Sequence, residues 1–111
     1  MTRPEVPAAL RGAVAITIGS SRDAPSKAAA AEFAASWHGI VLAVVDWPEE
    51  AASWLRHARR FTRGGPDAWV VVADGLGWAR MVDRLARSTG WDPARTHRLF
   101  LPRRRGLHLA G

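Results

Sequence analysis

Short apolar runs alternate with amphipathic segments along this chain, and the alternation predicts strands and helices in turn. Three runs are β-branched and uncharged in their interior, as in strands buried on both faces of a parallel sheet. They cover residues 13–19, 40–46 and 68–74. A fourth segment, residues 96–101, alternates polar and apolar positions, which is typical of an edge strand. The pattern therefore predicts four strands.

Three helices are predicted between these strands. The first covers residues 28–37, and Pro25 suits an early position in its first turn. The second is expected to begin near Trp47, because Asp46 and Glu49 have the spacing of a capping box with Asp46 in the capping place. The third follows the turn at residues 75–77. The apolar faces of the second and third helices are predicted to be Ala51, Trp54, Leu55, Ala58 and Phe61, then Trp78, Met81, Val82, Leu85 and Ala86.

The order of these elements predicts the fold class. Strand–helix–strand crossovers join parallel neighbours and are almost always right-handed. We therefore expect an α/β domain: a small parallel four-stranded sheet with helices on both faces, Rossmann-like or flavodoxin-like in type. A length of 111 residues suits one domain, expected over residues 1–102, followed by a basic tail at 103–111. Val44 and Val71 are predicted to lie in the core.

The amino-acid composition excludes several kinds of chemistry. The chain has no Cys, which excludes disulfides, thiolate nucleophiles and thiolate metal ligands. Residues 1–12 contain two Pro and an acid, and no stretch of 18 apolar residues occurs, so the cytoplasm is the expected location.

The formal net charge of +6 comes from 16 basic and 10 acidic residues, and three of the basic ones form the run 103–105. Nucleic acid is not expected as a partner, because the chain has neither a recognised nucleic-acid motif nor aromatic residues interleaved with the basic ones. A solvated basic surface is the preferred interpretation.

Candidate ligand contacts follow from the rule that open α/β sheets bind ligands outside the carboxyl ends of their strands. After the first strand, Gly19, Ser20, Ser21 and Arg22 combine amide groups, hydroxyls and a guanidinium that could hold a phosphate. The alternative is purely local: Gly19 turns the chain, and Ser21 or Asp23 caps the helix that follows.

Two carboxylates close the next strands. Asp46 and Asp74 could accept ribose hydroxyls or ligate Mg²⁺, unless Asp46 caps a helix and Asp74 only forms a turn with Gly75. The four His are dispersed, so no metal site is expected, and no catalytic group is identified. Trp47 and Trp91, at predicted loop–helix junctions, are further candidates for ligand or partner contact. The predicted ligand-binding residues are Ser20, Ser21, Arg22, Asp46, Asp74, Gly75 and Gly77.

One segment resembles a known family. Residues 67–106, DAWVVVADGLGWARMVDRLARSTGWDPARTHRLFLPRRRG, are similar to the last βαβ unit of ferredoxin-reductase-type NAD(P)H-binding modules, especially siderophore-interacting flavin reductases. In those modules a strand ends at a small-residue turn beside the nicotinamide, a place held here by residues 74–77. Residues 19–22 are similar to the strand end where these modules place an Arg near the ribose phosphate. The resemblance implies NAD(P)H as a cofactor, although the Cys-Gly-Pro and Glu-x-Phe motifs of the family are missing.

These observations leave three functions open. The first is a Rossmann-like domain that binds a nucleotide or phosphorylated small ligand at the carboxyl edge, related to flavin or NAD(P)H reductases. The second is a non-catalytic interaction domain or homodimeric subunit, joined through an edge strand. The third, nucleic-acid binding by the basic residues of the second helix and the tail, is the least favoured. Whether the protein is an enzyme stays open.

Overall fold

Strands and helices alternate along the chain, as the apolar pattern predicts. The computed structural model describes residues 6–73 and 75–101. The elements are β1 (Ala15–Ser21), α1 (Ala24–Ser36), β2 (Ile40–Trp47), α2 (Leu55–Thr62), β3 (Ala68–Val72), α3 (Leu76–Ser88) and β4 (Thr96–Arg98). Short 3-10 turns cover Ala8–Leu10 and Pro93–Arg95.

The four strands form one sheet in the order β2-β1-β3-β4, and every neighbouring pair is parallel. The predicted α/β class is confirmed. This order is the flavodoxin-like one, in which the chain moves outward from β1 in one direction and then, from β3, in the other. The switch point between β1 and β3 therefore lies at the centre of the sheet, and ligands of such folds bind at its carboxyl end.

Each face of the sheet carries its own apolar core. On one face, α1 and the first 3-10 turn pack over β1 and β3. On the other, α2 and α3 pack side by side. The side chains of the first core include Leu10, Ile16, Ile18, Ala30, Val70 and Val72, and those of the second Trp47, Phe61, Trp69, Val71, Trp78, Met81 and Leu85. Val71 is fully buried, as predicted.

The central strand β1 is longer at its carboxyl end than predicted. It passes through Gly19 and ends at Ser21, with Ser20 and Ser21 paired in register with Asp46 and Trp47 of β2. Gly19 does not turn the chain. Its position excludes a side chain instead, because a Cβ built there would lie 2.6 Å from Cη2 of Trp47 and 2.7 Å from Cε1 of Phe61.

The predicted start of the second helix is wrong. β2 continues through Asp46 to Trp47, and α2 begins only at Leu55. The Trp47 indole is fully buried against Phe61 and Trp78, which holds this residue in the strand. Asp46 therefore caps no helix, and Trp47 lies at the end of a strand and not at the predicted loop–helix junction.

The prediction that β2 is buried on both faces is also wrong. β2 is an edge strand, and its apolar side chains Ile40, Leu42 and Val44 are 55%, 39% and 50% exposed. An apolar run predicts a strand, but its burial depends on which strands flank it, and here only β1 does. Val44 is consequently not a core residue.

Several element ends differ from the prediction. α1 begins at Ala24, four residues early, because the Asp23 carboxylate caps it by accepting the Ser26 N–H. β3 ends at Val72 and β4 at Arg98, earlier than expected. Asp74 and the predicted tail at 103–111 lie outside the described residues. Within the described ranges, no helix has the length and apolarity that crossing a membrane requires.

Candidate functional site

The carboxyl end of β1 carries a buried hydroxyl at the centre of the sheet. Ser20 and Ser21 are 1% and 3% exposed, and both belong to the strand. The Ser21 hydroxyl has no hydrogen-bond partner among the described residues. A buried polar group without a partner is costly, so a water molecule or a ligand atom would stabilise it.

An ion pair stands directly above this strand end. Arg22 follows Ser21, and its Nε donates to Oδ1 of Asp46 at 2.7 Å. The Asp46 side chain stands at the end of β2, in register with Ser20. Lys27, in the first turns of α1, brings its Nζ to 3.8 Å from Oδ2 of the same carboxylate. Two adjacent strands and one helix thus bring a carboxylate and two cations together.

Positive charge exceeds negative charge around this pair. The hydrogen bond from Arg22 lowers the pKa of Asp46, burial opposes that shift, and the charges of Arg22, Lys27 and Arg60 lower the pKa further. Arg60 lies on α2, so the cations surround Asp46 from both faces of the sheet.

The same excess of positive charge acts on His57 of α2. Its pKa is lowered first by burial and then by repulsion from Arg22, Arg60 and Arg56. We call Arg22, Lys27, Arg56 and Arg60 the basic cluster. Three of these four cations, Arg22, Lys27 and Arg60, act on the carboxylate of Asp46, and this excess of positive charge attracts anions.

Further buried polar atoms without partners lie at the same end of the molecule. Two of them are indole Nε1 atoms, of Trp47 at the end of β2 and of Trp54 just before α2, and neither has an acceptor among the described residues. The third is Nδ1 of His57, which also has no partner there. The rings of Trp54 and His57 are 5.5 Å apart. Indole N–H groups only donate, so each of these two would need an acceptor oxygen to satisfy it.

On the other side of the switch point, a carboxylate for which the sequence predicted a different role binds the start of α3. Glu49, predicted to belong to a capping box of the second helix, accepts the Gly77 N–H at the start of α3 through Oε1, at 2.8 Å. Gly75 adopts a left-handed φ of 114°, which favours glycine. A Cβ on Gly77 would meet the Pro48 carbonyl oxygen at 2.7 Å. The turn thus packs against residues 48–49, and Glu49 already occupies the place where an anion would accept the Gly77 amide.

Arg98 is a residue at this edge that the sequence analysis did not identify. It ends β4, and its Nη2 donates to the carbonyl oxygen of Ala73, just beyond β3. Its guanidinium carbon lies 5.8 Å from the Trp78 ring centre and 4.9 Å from that of Phe100. In an alternating strand the pattern predicts only a solvated Arg, so no local signal could have found this role.

The predicted site residues therefore fall into separate groups. Ser20, Ser21, Arg22 and Asp46 come together at the ends of β1 and β2, whereas Gly75 and Gly77 pack with Glu49. Asp74 lies outside the described residues, so its pairing with Asp46 is not seen. Asp46 is surrounded by cations, which suits an anion site and disfavours Mg²⁺. No group of three or more potential metal-ligating His, Asp or Glu residues occurs within 6–73 and 75–101.

Comparison with known proteins found no matching family model, curated protein or solved structure. The resemblance of residues 67–106 to ferredoxin-reductase-type modules stays a hypothesis.

Proposed function

We propose that this protein is a small Rossmann-like domain that binds a phosphate-bearing small ligand, such as a nucleotide, at the carboxyl edge of its sheet. One observation carries the proposal: Arg22, Lys27 and Arg60 all act on the carboxylate of Asp46, at the strand end that also carries the buried, unpartnered hydroxyl of Ser21. A phosphate supplies negative charge for the cations and acceptor oxygens for the N–H and O–H groups at this edge. We assign no reaction to the site.

Arg22 is the central residue of the proposed site. Only its Nε is bonded to Asp46, and its two terminal nitrogens have no hydrogen-bond partner within the described residues. They could therefore donate to a phosphate while Lys27 contributes a second charge from α1. Ser21, one position earlier, carries an unpartnered hydroxyl at the same strand end.

NAD(P)H is the cofactor that the family resemblance suggests. An Arg at this strand end suits the 2′-phosphate of NADPH. The α3 start fits the pyrophosphate less well, since Glu49 accepts the Gly77 amide. NADPH therefore belongs in a ligand panel beside simpler phosphates, and we do not prefer it to them.

The proposal is tested by thermal unfolding of the wild type with phosphate, pyrophosphate, adenine nucleotides, FMN, NADH and NADPH at constant ionic strength. A ligand that binds only the folded state raises the midpoint. We expect a rise with at least one phosphate compound, and its loss in Arg22→Ala.

Arg87→Ala is the matched control. Arg87 also pairs with an aspartate, Asp83, at 2.8 Å and is similarly exposed, but it lies on α3 away from the basic cluster. The control should respond like the wild type. Equal ligand responses in Arg22→Ala and the wild type, or no response to any phosphate compound, would refute the proposed site.

Self-association is a second candidate function, favoured by the outer edge of β2. This edge is eight residues long, and half-exposed apolar side chains follow it at Ile40, Leu42 and Val44. Residues 40–45 carry no charge, so two copies can approach here although each has a net charge of +6. Antiparallel pairing of β2 with β2 of a second copy would be self-complementary about a two-fold axis and would join two sheets into one.

Sedimentation velocity over a range of concentrations tests this second candidate. We expect a dimer that is lost in Val44→Lys, because the new ammonium would face its own copy. Leu76→Lys is the control, since Leu76 is 61% exposed on α3. A wild type that stays monomeric at the highest concentration would dismiss the β2 interface.

A further inference from the structure

We infer that Asp46 is a built-in substitute for the anion of the ligand: its carboxylate holds Arg22 until a phosphate group displaces it. This inference rests on the proposed function. It adds that the site selects its ligands through an internal competitor, and that Asp46 changes partner when a ligand binds.

The geometry of the ion pair supports an exchangeable contact. A guanidinium and a carboxylate bind most strongly through two parallel hydrogen bonds. Arg22 makes only one, from Nε to Oδ1 of Asp46. Arg87 provides a comparison within the same chain, because its Nε and its Nη2 both donate to Oδ2 of Asp83, at 3.2 and 2.8 Å. The Arg22 pair is thus the less complete of the two.

Asp46 also interacts with two other cations, Lys27 and Arg60, which can pair with it when a ligand takes Arg22. Its Oδ2 lies 3.8 Å from Nζ of Lys27, beyond hydrogen-bond range but close enough for a small rotation to complete the contact. Arg60 also acts on this carboxylate from α2. The Arg22, Lys27 and Asp46 side chains are 52%, 55% and 35% exposed, so exchanging partners costs little.

Competition of this kind separates ligand classes. A monoanionic carboxylate offers Arg22 nothing that Asp46 does not already supply. A dianionic phosphate offers a second charge and more acceptor oxygens, so it can displace the internal carboxylate. The low pKa of Asp46 keeps the competitor charged at neutral pH. We therefore expect the wild type to prefer phosphate to acetate and Asp46→Asn to lose part of this preference.

The experiment measures binding of inorganic phosphate and of acetate by NMR titration near neutral pH, at constant ionic strength. The proteins are the full-length wild type, Asp46→Asn and Asp83→Asn. Asp83→Asn removes the same unit of charge from the exposed pair on α3 and is the matched control. We expect Asp46→Asn to bind phosphate roughly fivefold more tightly than the wild type, the change that releasing an exposed ion pair allows. Asp83→Asn should bind like the wild type.

The Arg22 Nε–H resonance of the wild type gives a readout that needs no variant. Phosphate should shift it as the bond to Asp46 is replaced, while the Arg87 Nε–H resonance stays in place. A wild type and Asp46→Asn with equal phosphate affinities, or an equal gain in Asp83→Asn, would overturn the inference and leave the proposed function standing. If phosphate binds no variant and shifts no Arg22 signal, the proposed anion site itself is refuted.

Discussion

A single carboxylate joins the amino ends of two strands. Oδ2 of Asp67, just before β3, accepts the N–H groups of Val14 and Ala15 at 3.0 and 2.9 Å. These bonds, chiefly the one from Ala15, lower the pKa of Asp67 below its ordinary value of 3.8. The charged carboxylate is therefore better accommodated in the folded protein than in the unfolded one.

The pH dependence of unfolding should show this contact. Because the folded pKa is the lower one, the stabilisation is complete above pH 3.8 and is lost as the pH falls through the folded value. Asp67→Asn should unfold more readily than the wild type at neutral pH and lose less stability on acidification. Urea unfolding from neutral pH to below pH 3.8 measures both. Parallel pH profiles for the two proteins would contradict the assignment.

Gly19 shows how one residue without a side chain permits the aromatic packing beneath the site. Gly19→Ala would push a methyl group into Trp47 and Phe61. We expect a loss of about 1–3 kcal/mol in the free energy of unfolding, the usual cost of overfilling a packed core. Gly90→Ala is the control, because nothing lies within 4 Å of its added carbon, and it should change stability by less than about 0.5 kcal/mol. Equal effects, measured by urea unfolding, would show that the close approach at Gly19 is not limiting.

At the scale of elements, the sequence predicts strand and helix type better than burial. Val71 and Val44 lie in similar apolar runs, yet Val71 is fully buried in β3 and Val44 is 50% exposed in β2. The difference comes from sheet order, which places β3 between two strands and β2 at the edge. That order depends on contacts between distant segments, so a local pattern does not contain it.

Truncating the two valines tests this difference. Val71→Ala should cost about 2 kcal/mol, because it removes two buried methyl groups and leaves a cavity. Val44→Ala should cost less than about 1 kcal/mol, since half of its surface is already in water. Denaturant unfolding of both variants gives the comparison. A larger loss at Val44 than at Val71 would contradict the assignment of β2 as an edge strand in solution.

The candidate site was predictable only in part, because some of its contacts also join distant segments of the chain. The rule that ligands bind at the carboxyl ends of strands led to Ser21, Arg22 and Asp46, and the structure brings these residues together. The role of Glu49 was not predictable, since its partner Gly77 lies 28 positions further along the chain. The local spacing of Asp46 and Glu49 indicated a helix cap instead, and the burial of Trp47 overrides that signal.

At the scale of the whole molecule, the positions of the basic residues are more informative than the net charge. The net +6 includes the run at 103–105, which lies outside the described residues. The basic cluster stands at the edge of the sheet where this fold type binds ligands. A general basic surface attracts any polyanion, whereas the proposed site would hold a ligand at one strand end.

The position at which phosphate binds therefore tests the proposed function most directly. A titration of the ¹⁵N-labelled protein with inorganic phosphate, at constant ionic strength, reports every backbone amide separately. We predict that the largest shifts fall on residues 20–27 and Asp46, at the carboxyl ends of β1 and β2, and on His57 and Arg60 of α2. Shifts that spread evenly over the Arg-rich surfaces of α3 and the run at 103–105, with no excess at Ser21 and Arg22, would contradict it.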